Sequence, residues 1–314
     1  MKVICEKTDF YIEGQSAVAI GKFDGIHRGH QELLSHILQQ KKQGRKAVVF
    51  TFFPSATAFF GKKNEKELTT REEKRQLFEE LGIDVLVEFP LNQQTAATSP
   101  EDFVTEILLK QMNMVFLAAG EDVSFGKGGK GNRELLSRMA KEQGFQLEII
   151  KKVFEKEREI SSTYVREEVE SGNMEQAAKL LGRYYSFGGV VENGNHLGRT
   201  MGTPTVNIYP PEEKLLPPRG VYVSKILLAG KIYYGITNIG KKPTVQQKET
   251  ISVETYLYDF AEDVYGQEIL VELLTFQRPE KKFDSITELH AQIEKDVQKG
   301  REYIQKIPAI GDLT

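Results

Sequence analysis

Residues 16–38 read SAVAIGKFDGIHRGHQELLSHIL, and the order of patterns in this stretch decides the fold. Residues 16–20 are small or apolar after an opening serine, which is the pattern of a strand buried on both faces. Glycines at 21, 25 and 29 punctuate the turn that follows. Over 30–40, Leu33, Leu34, Ile37 and Leu38 recur at helical spacing. A buried strand, a glycine-rich turn and an amphipathic helix make the first half of a βαβ unit.

The alternation continues outward from there. Strands are predicted at 47–53, 84–89, 114–119 and 145–150, and helices at 70–81, from Ser99-Pro100 onward, and at 132–143, 163–170 and 174–181. Such alternation predicts a parallel sheet covered on both faces, a doubly wound, Rossmann-like α/β layer whose ligands sit at the C-terminal ends of the strands. After Gly182 the pattern changes. Residues 187–192, 206–209, 220–228, 231–236, 252–258 and 267–276 are short, rich in β-branched and aromatic residues, and punctuated by Gly and Pro. Six such strands predict an antiparallel six-stranded β-barrel, closed by a terminal helix over 285–305. The division falls at 182/183, giving domains 1–182 and 183–314.

The turn after the first strand carries the clearest chemistry. The helix that follows aims its free N–H groups and the positive end of its dipole at the turn, which makes an anion site. His27 and His30, three residues apart, share that opening and suit phosphate oxygens and the charge that builds when a phosphate bond breaks. A literal GxGxxG at Gly126, Gly128 and Gly131 does not directly follow a strand, and Asn132-Arg133 replaces the Lys-Ser/Thr of a P-loop. It reads as neither dinucleotide nor P-loop fingerprint. In the second half, Thr205 and Asn207 are oxygen donors at alternate positions, so a strand turns them to one side, and a hydroxyl with an amide suits Mg²⁺. Glu254 is the lone carboxylate of SVETYLY, and by residue type alone it is either a strand-edge glutamate facing water or an acceptor for a hydroxyl proton.

GKFDGIHRGH resembles the GxFDGxHxGH signature of FMN adenylyltransferases in the HxGH nucleotidyltransferase superfamily, and 160–166, ISSTYVR, resembles a second element of that superfamily. The resemblance implies nucleotide contacts at Gly21, Phe23, Asp24, Gly25, Ser161, Ser162 and Thr163, with Arg166 on the triphosphate, and a flavin-side role for Asp122, Phe125 and Gly126. Thr51-Phe52-Phe53-Pro54 resembles the TFxP element of the same family.

Residues 198–208 are similar to the GRxLGFPTANI motif of riboflavin kinases, 238–244 to their NxGxxPT turn, and 278–296 to their RxExxF…L…D pattern. Here the resemblance implies Thr205 and Asn207 on Mg²⁺, Glu254 as base, and Arg199 on ATP phosphate within a covering loop at 193–202. Met201, Thr203, Val206 and Val245 depart from the pattern. Together the motifs identify the chain as a member of the bifunctional riboflavin kinase/FMN adenylyltransferases, the prokaryotic FAD synthetases. They imply ATP as co-substrate and riboflavin and FMN as partners. An adenylyltransferase whose barrel binds flavin without phosphorylating it is the alternative.

Composition bounds the rest. The chain of 314 residues has 42 Lys+Arg against 45 Asp+Glu, so no positive surplus is available to hold a nucleic acid. One cysteine, Cys5, allows no internal disulfide and fits a reducing, cytoplasmic setting. No run approaches the ~20 apolar residues of a membrane span, and the first residues do not read as a signal peptide.

Overall fold

The computed structural model describes residues 1–61, 66–192, 205–243, 249–260 and 262–307. Arg199 and the rest of 193–202, together with Thr203 and Val245, lie outside the described residues. Two compact units divide at Ser162/Thr163.

In the first unit, β1 (Lys2–Cys5), β2 (Ser16–Ile20), β3 (Lys46–Phe53), β4 (Val85–Pro90), β5 (Met114–Gly120) and β6 (Gln146–Ile150) form one sheet in the order β1-β4-β3-β2-β5-β6. Every neighbouring pair is parallel. Between them run α1 (Arg28–Gln39), the short α2 (Ala56–Phe59), α3 (Arg71–Glu80), α4 (Pro100–Asp102, continuing in wide π-type turns over Phe103–Gln111) and α5 (Arg133–Gln143). Alternation within β2 divides the core. Ala17 and Ala19 face Leu33, Leu34 and Ile37 of α1 and Phe78 of α3. Val18 and Ile20 face Phe103, Leu108, Leu136 and Met139 on the other side. The doubly wound layer is as expected from the sequence, with one strand more: β1 was not read, because four residues on a sheet edge carry too little apolar pattern.

Strand order reverses between β2 and β5, since the chain works outward from β2 through β3 to β4, and from β5 to β6 on the other flank. That switch point is where a doubly wound sheet leaves a crevice at its C-terminal edge. The loop after β2 holds the histidines, and the loop after β5 holds the glycine-rich segment.

A buried ion triad fixes α3 to the sheet. Glu88 on β4, 4% exposed, takes Arg71 Nε at 2.8 Å and Nη2 at 2.6 Å, and Arg75 Nε at 2.9 Å. Arg71 also lies over the Phe53 ring at 3.8 Å. Burial pushes the Glu88 carboxyl up, but the hydrogen bonds and charges of Arg75 and Arg71 outweigh it and hold it below the ordinary value.

In the second unit, α6 (Ser162–Ser171, its first residue in the first unit) and α7 (Met174–Leu181) precede six antiparallel strands. These are β9 (Tyr185–Val190), β10 (Thr205–Ile208), β11 (Gly220–Leu228), β12 (Lys231–Pro243), β13 (Glu249–Leu257) and β14 (Glu268–Pro279), in the order β10-β13-β12-β11-β14-β9. The hairpin numbered β7 (Phe154–Glu155) and β8 (Arg158–Glu159) belongs to the first unit. The six-stranded sheet curls until its edges meet at one bridge, Glu192 opposite Asn207, with Gly189 against Ile208. One face buries a file of hydroxyls: Ser224 Oγ to Thr237 Oγ1 at 2.6 Å, and Thr237 Oγ1 to Thr255 Oγ1 at 2.9 Å. The other face packs Val221, Ile236 and Tyr258 against Val297 and Ile304 of the terminal helix α8 (Ile286–Ile304). Strand β12 corrects one expectation: 238–243, read as a turn, continues the strand in register with β13. Among the described residues no helix is long and apolar enough to cross a membrane.

Glu88→Gln is expected to cost about 3–5 kcal/mol, because two guanidinium groups lose their buried counter-charge. Urea denaturation at neutral pH measures this. The contribution of Glu88 is complete above its ordinary value of 4.5 and is lost as pH falls through the lower folded value, so wild type and variant converge in acid.

Candidate active sites

The loop from β2 to α1 is held in a conformation the chain adopts only under constraint. Phe23 (φ 51°), Gly25 (φ 83°) and Ile26 (φ 41°) all have positive φ. For Phe and above all β-branched Ile this costs free energy and persists only where packing enforces it. Packing does so here: Phe23 is fully buried against Phe78 and His30, and Ile26 is 1% exposed.

His27 is the N-cap of α1. Its Nδ1 accepts from the His30 backbone N–H at 3.3 Å. A ring nitrogen that accepts carries no proton, so the neutral imidazole bears its proton on Nε2, which is left as a donor. The His27 and His30 rings stack with centroids 3.7 Å apart at 19°. Gly29 lies close under them: a Cβ there would sit 3.2 Å from His27 Nδ1 and 3.4 Å from the Ile160 carbonyl oxygen. The spacing HxGH thus reflects a cap, a stack and a missing side chain.

Asp24, 1% exposed, organises the surroundings. Its Oδ1 accepts from Leu68 N at 2.9 Å and Thr69 N at 3.3 Å, and its carbonyl accepts from Ser162 Oγ at 2.8 Å. Gly25 N donates to Thr69 Oγ1 at 3.0 Å. Asp24 and Phe23 therefore shape the loop from below, and Ser162 joins it at the start of α6. Thr163 and Arg166 fall in the second unit, Arg166 one helical turn on from Ser162.

The flavin-side candidates separate. Phe125 is 4% exposed, packs on Phe103, and lies where a Cβ on Gly131 would stand, at 2.5 Å. Gly126 (φ 68°) has Pro100 at 2.7 Å from its Cβ position. These two shape the loop. Asp122 is exposed, with Lys152 Nζ at 3.5 Å. Lys152, hydrogen-bonded to Glu159 at 2.8 Å and near Asp122, is held above the ordinary lysine value. Arg28 Nη1 reaches Glu155 at 3.1 Å, which ties the β7–β8 hairpin to the start of α1. Sequence reading missed Lys152, Arg28 and Glu155, whose partners are set by topology alone.

In the second unit, Thr205 and Asn207 stand two apart on β10, Asn207 3% exposed. Asn207 is directly opposite Glu254, and Glu254 directly opposite Asn238 of β12. Directly opposed residues of antiparallel strands share a face. Asn207, Glu254 and Asn238 therefore form one row on the face that packs on α8. Arg278 lies in the same register row and binds Asp296 of α8 with Nη2–Oδ2 at 2.6 Å. Among the described residues no three His, Cys, Asp or Glu side chains gather as a metal site. A hydroxyl, an amide and a neighbouring carboxylate, all oxygen donors and few in number, fit Mg²⁺, which keeps several of its waters.

Comparison with known proteins places the halves separately. Residues 11–164 match the FAD synthetase family and residues 181–304 the riboflavin kinase family. Bifunctional riboflavin kinase/FMN adenylyltransferase of Bacillus subtilis (strain 168) is 35% identical over 301 residues, covering 94% of each chain. The chain belongs to the bifunctional riboflavin kinase/FMN adenylyltransferase family. The Escherichia coli (strain K12) member is 36% identical, covering 91% of this chain and 92% of that one. A crystal structure described as a macrolide-efflux protein from Streptococcus pneumoniae superposes with a TM-score of 0.86 at 30% identity, covering 95% of this chain and 98% of that one. That description belongs to that protein; what the two share is the fold and the sequence.

Asp24→Ala strips the Leu68 and Thr69 amides of their buried acceptor, at a cost of about 1–3 kcal/mol. Amide hydrogen exchange at these two positions is expected to accelerate, while the core strand β2 keeps its protection.

Proposed function

We propose that residues 1–182 transfer an adenylyl group from ATP to FMN through the loop of His27 and His30, and that residues 183–314 phosphorylate riboflavin through Glu254. The observation that carries this is the presence of two separate constellations. One is a capped, stacked histidine pair at the switch point of a parallel sheet, and the other is a carboxylate between two asparagines on an antiparallel one. Matches to both families support two activities over an adenylyltransferase whose barrel merely binds flavin.

In the kinase half, Glu254 accepts the proton of the riboflavin 5′-hydroxyl as that oxygen attacks the γ-phosphorus of ATP. FMN forms and ADP leaves. Thr205 and Asn207 would hold Mg²⁺, which when bound neutralises polyphosphate charge. Arg199, in the loop read as covering the nucleotide, is part of this proposal as a phosphate contact.

In the other half, a phosphate oxygen of FMN attacks the α-phosphorus of a second ATP, so FAD forms and pyrophosphate leaves. A phosphate dianion is already a nucleophile, so positioning and charge stabilisation carry the step. The Nε2–H of His27, the tautomer that the cap selects, supplies one donor to the charge that builds, and His30 stacks beside it. Ser161 and Ser162 at the start of α6, with Thr163 and Arg166 following, are assigned to the triphosphate. Gly21 and Gly25 give the nucleotide access to the backbone, and Asp122 faces the flavin side. Small molecules rather than nucleic acids are the partners, and the lone Cys5 and balanced charge support a cytoplasmic enzyme.

The test separates the halves in one full-length protein. His27→Ala and His30→Ala are each expected to lower FAD formation from FMN about 10²- to 10³-fold and to leave FMN formation from riboflavin unchanged. Glu254→Gln is expected to do the reverse, by about 10²- to 10⁴-fold. Gly29→Ala, which presses on His27, is expected to behave as a weaker His27 variant. Product separation of riboflavin, FMN and FAD reads all four. Loss of both activities in any one variant would count against the division.

A further inference from the structure

We propose that Asn238 is a substrate-contacting residue of the kinase site, recognising hydroxyl groups of the riboflavin ribityl chain and so aligning the 5′-oxygen with Glu254. The inference rests on the reading of Glu254 as base.

The strand register carries it. Residues 238–243 form strand rather than turn, and this puts Asn238 directly across from Glu254. Their Cβ atoms are then about 4.5–5.5 Å apart on one face. Asn207 occupies the matching position on the opposite side of Glu254. Asparagine is a poor strand former, yet the two strands flanking Glu254 each place one beside it. Their surroundings differ. Asn207 is buried and pairs across the barrel closure with Glu192. Asn238 is half-buried, and among the described residues its side-chain amide has no hydrogen-bond partner.

A second feature makes the surroundings of Asn238 polar. Gly240, two residues on and on the same face, has no side chain, and the Glu280 carboxylate occupies the vicinity. A Cβ on Gly240 would lie 2.5 Å from Glu280 Oε1 and 3.2 Å from Asn238 Nδ2. Arg219 Nη1 holds Glu280 from the far side at 3.6 Å. Asn238 thus has one carboxylate across the strand pair, Glu254, and a second, Glu280, beside the neighbouring position Gly240. An amide that both donates and accepts, between two acceptors, matches successive hydroxyls of a polyol better than it matches a polyphosphate, which two carboxylates would repel.

The geometry of transfer assigns the side. In an in-line displacement the polyphosphate lies on one side of the transferred phosphorus and the acceptor oxygen on the other. With Thr205 and Asn207 on the polyphosphate side of Glu254, Asn238 falls on the acceptor side.

The test uses the full chain. In Asn238→Ala the KM for riboflavin is expected to rise about tenfold, with the KM for MgATP and the FMN-to-FAD rate within twofold of wild type. Asn238→Ser, which keeps a hydrogen-bonding group, is expected to recover part of the loss. Lumiflavin, the ring system without the polyol chain, should inhibit wild type and Asn238→Ala with equal potency. An unchanged riboflavin KM would overturn the proposal. So would a parallel rise in the KM for MgATP, or an equal loss of lumiflavin potency, either of which marks general damage to the strand. Glu254→Gln separates the two readings: if it keeps the kinase rate, the base assignment fails, whereas the riboflavin KM of Asn238→Ala still decides the recognition role.

Discussion

One hydrogen bond, from the His30 backbone N–H to Nδ1 of His27, sets the terms for the adenylyl-transfer half. It starts helix α1, selects which imidazole nitrogen carries the proton, and lays one ring against the other. Each neighbouring feature protects that bond. Gly29 leaves room for the ring, and the buried Phe23 and Ile26 hold the backbone in a left-handed conformation it would otherwise avoid. Asp24 anchors the loop to residues 68 and 69, just ahead of α3, while Glu88 anchors α3 to the sheet. The reactive groups thus sit at the end of a chain of constraints that leads back to a carboxylate between two arginines.

The kinase half solves the same problem by register. Thr237 and Thr255 are directly opposed on one face of β12 and β13 and hydrogen-bond to each other, while their neighbours Asn238 and Glu254 are opposed on the other face. A slip of one residue would move Glu254 to the hydroxyl-lined side and break the buried file. The interior hydroxyls are therefore a reason why the outer row keeps its alignment, and a reason for this core to tolerate polar groups where aliphatic ones would pack as well.

Much of this was legible in the chain of letters. The sequence of strand, glycine turn and helix at 16–38 located the switch-point loop, and the change of pattern after Gly182 located the barrel. The helices predicted at 70–81 and 132–143 form over Arg71–Glu80 and Arg133–Gln143, each started by a side-chain cap, Thr70 and Asn132. What escaped were relations between distant segments. Lys152 beside Asp122, Arg28 with Glu155, and the pairing of Asn238 with Glu254 depend on which strands are neighbours, and local periodicity is silent on that. The continuation of β12 through Asn238 and Gly240 escaped for another reason: glycine, lysine and proline in the stretch 238–243 carry turn propensity, and tertiary pairing overrides it.

Among the described residues strand β1 pairs only with β4, Lys2 beside Val85 and Cys5 beside Glu88. During synthesis on the ribosome β1 therefore emerges and waits until its partner, more than eighty residues later, has left the exit tunnel. The inner strands β2 and β3 can pair well before that. The nascent chain thus carries β1 as an unclaimed tether while β2 and β3 assemble, and this edge of the sheet closes only when a later segment reaches back to an earlier one.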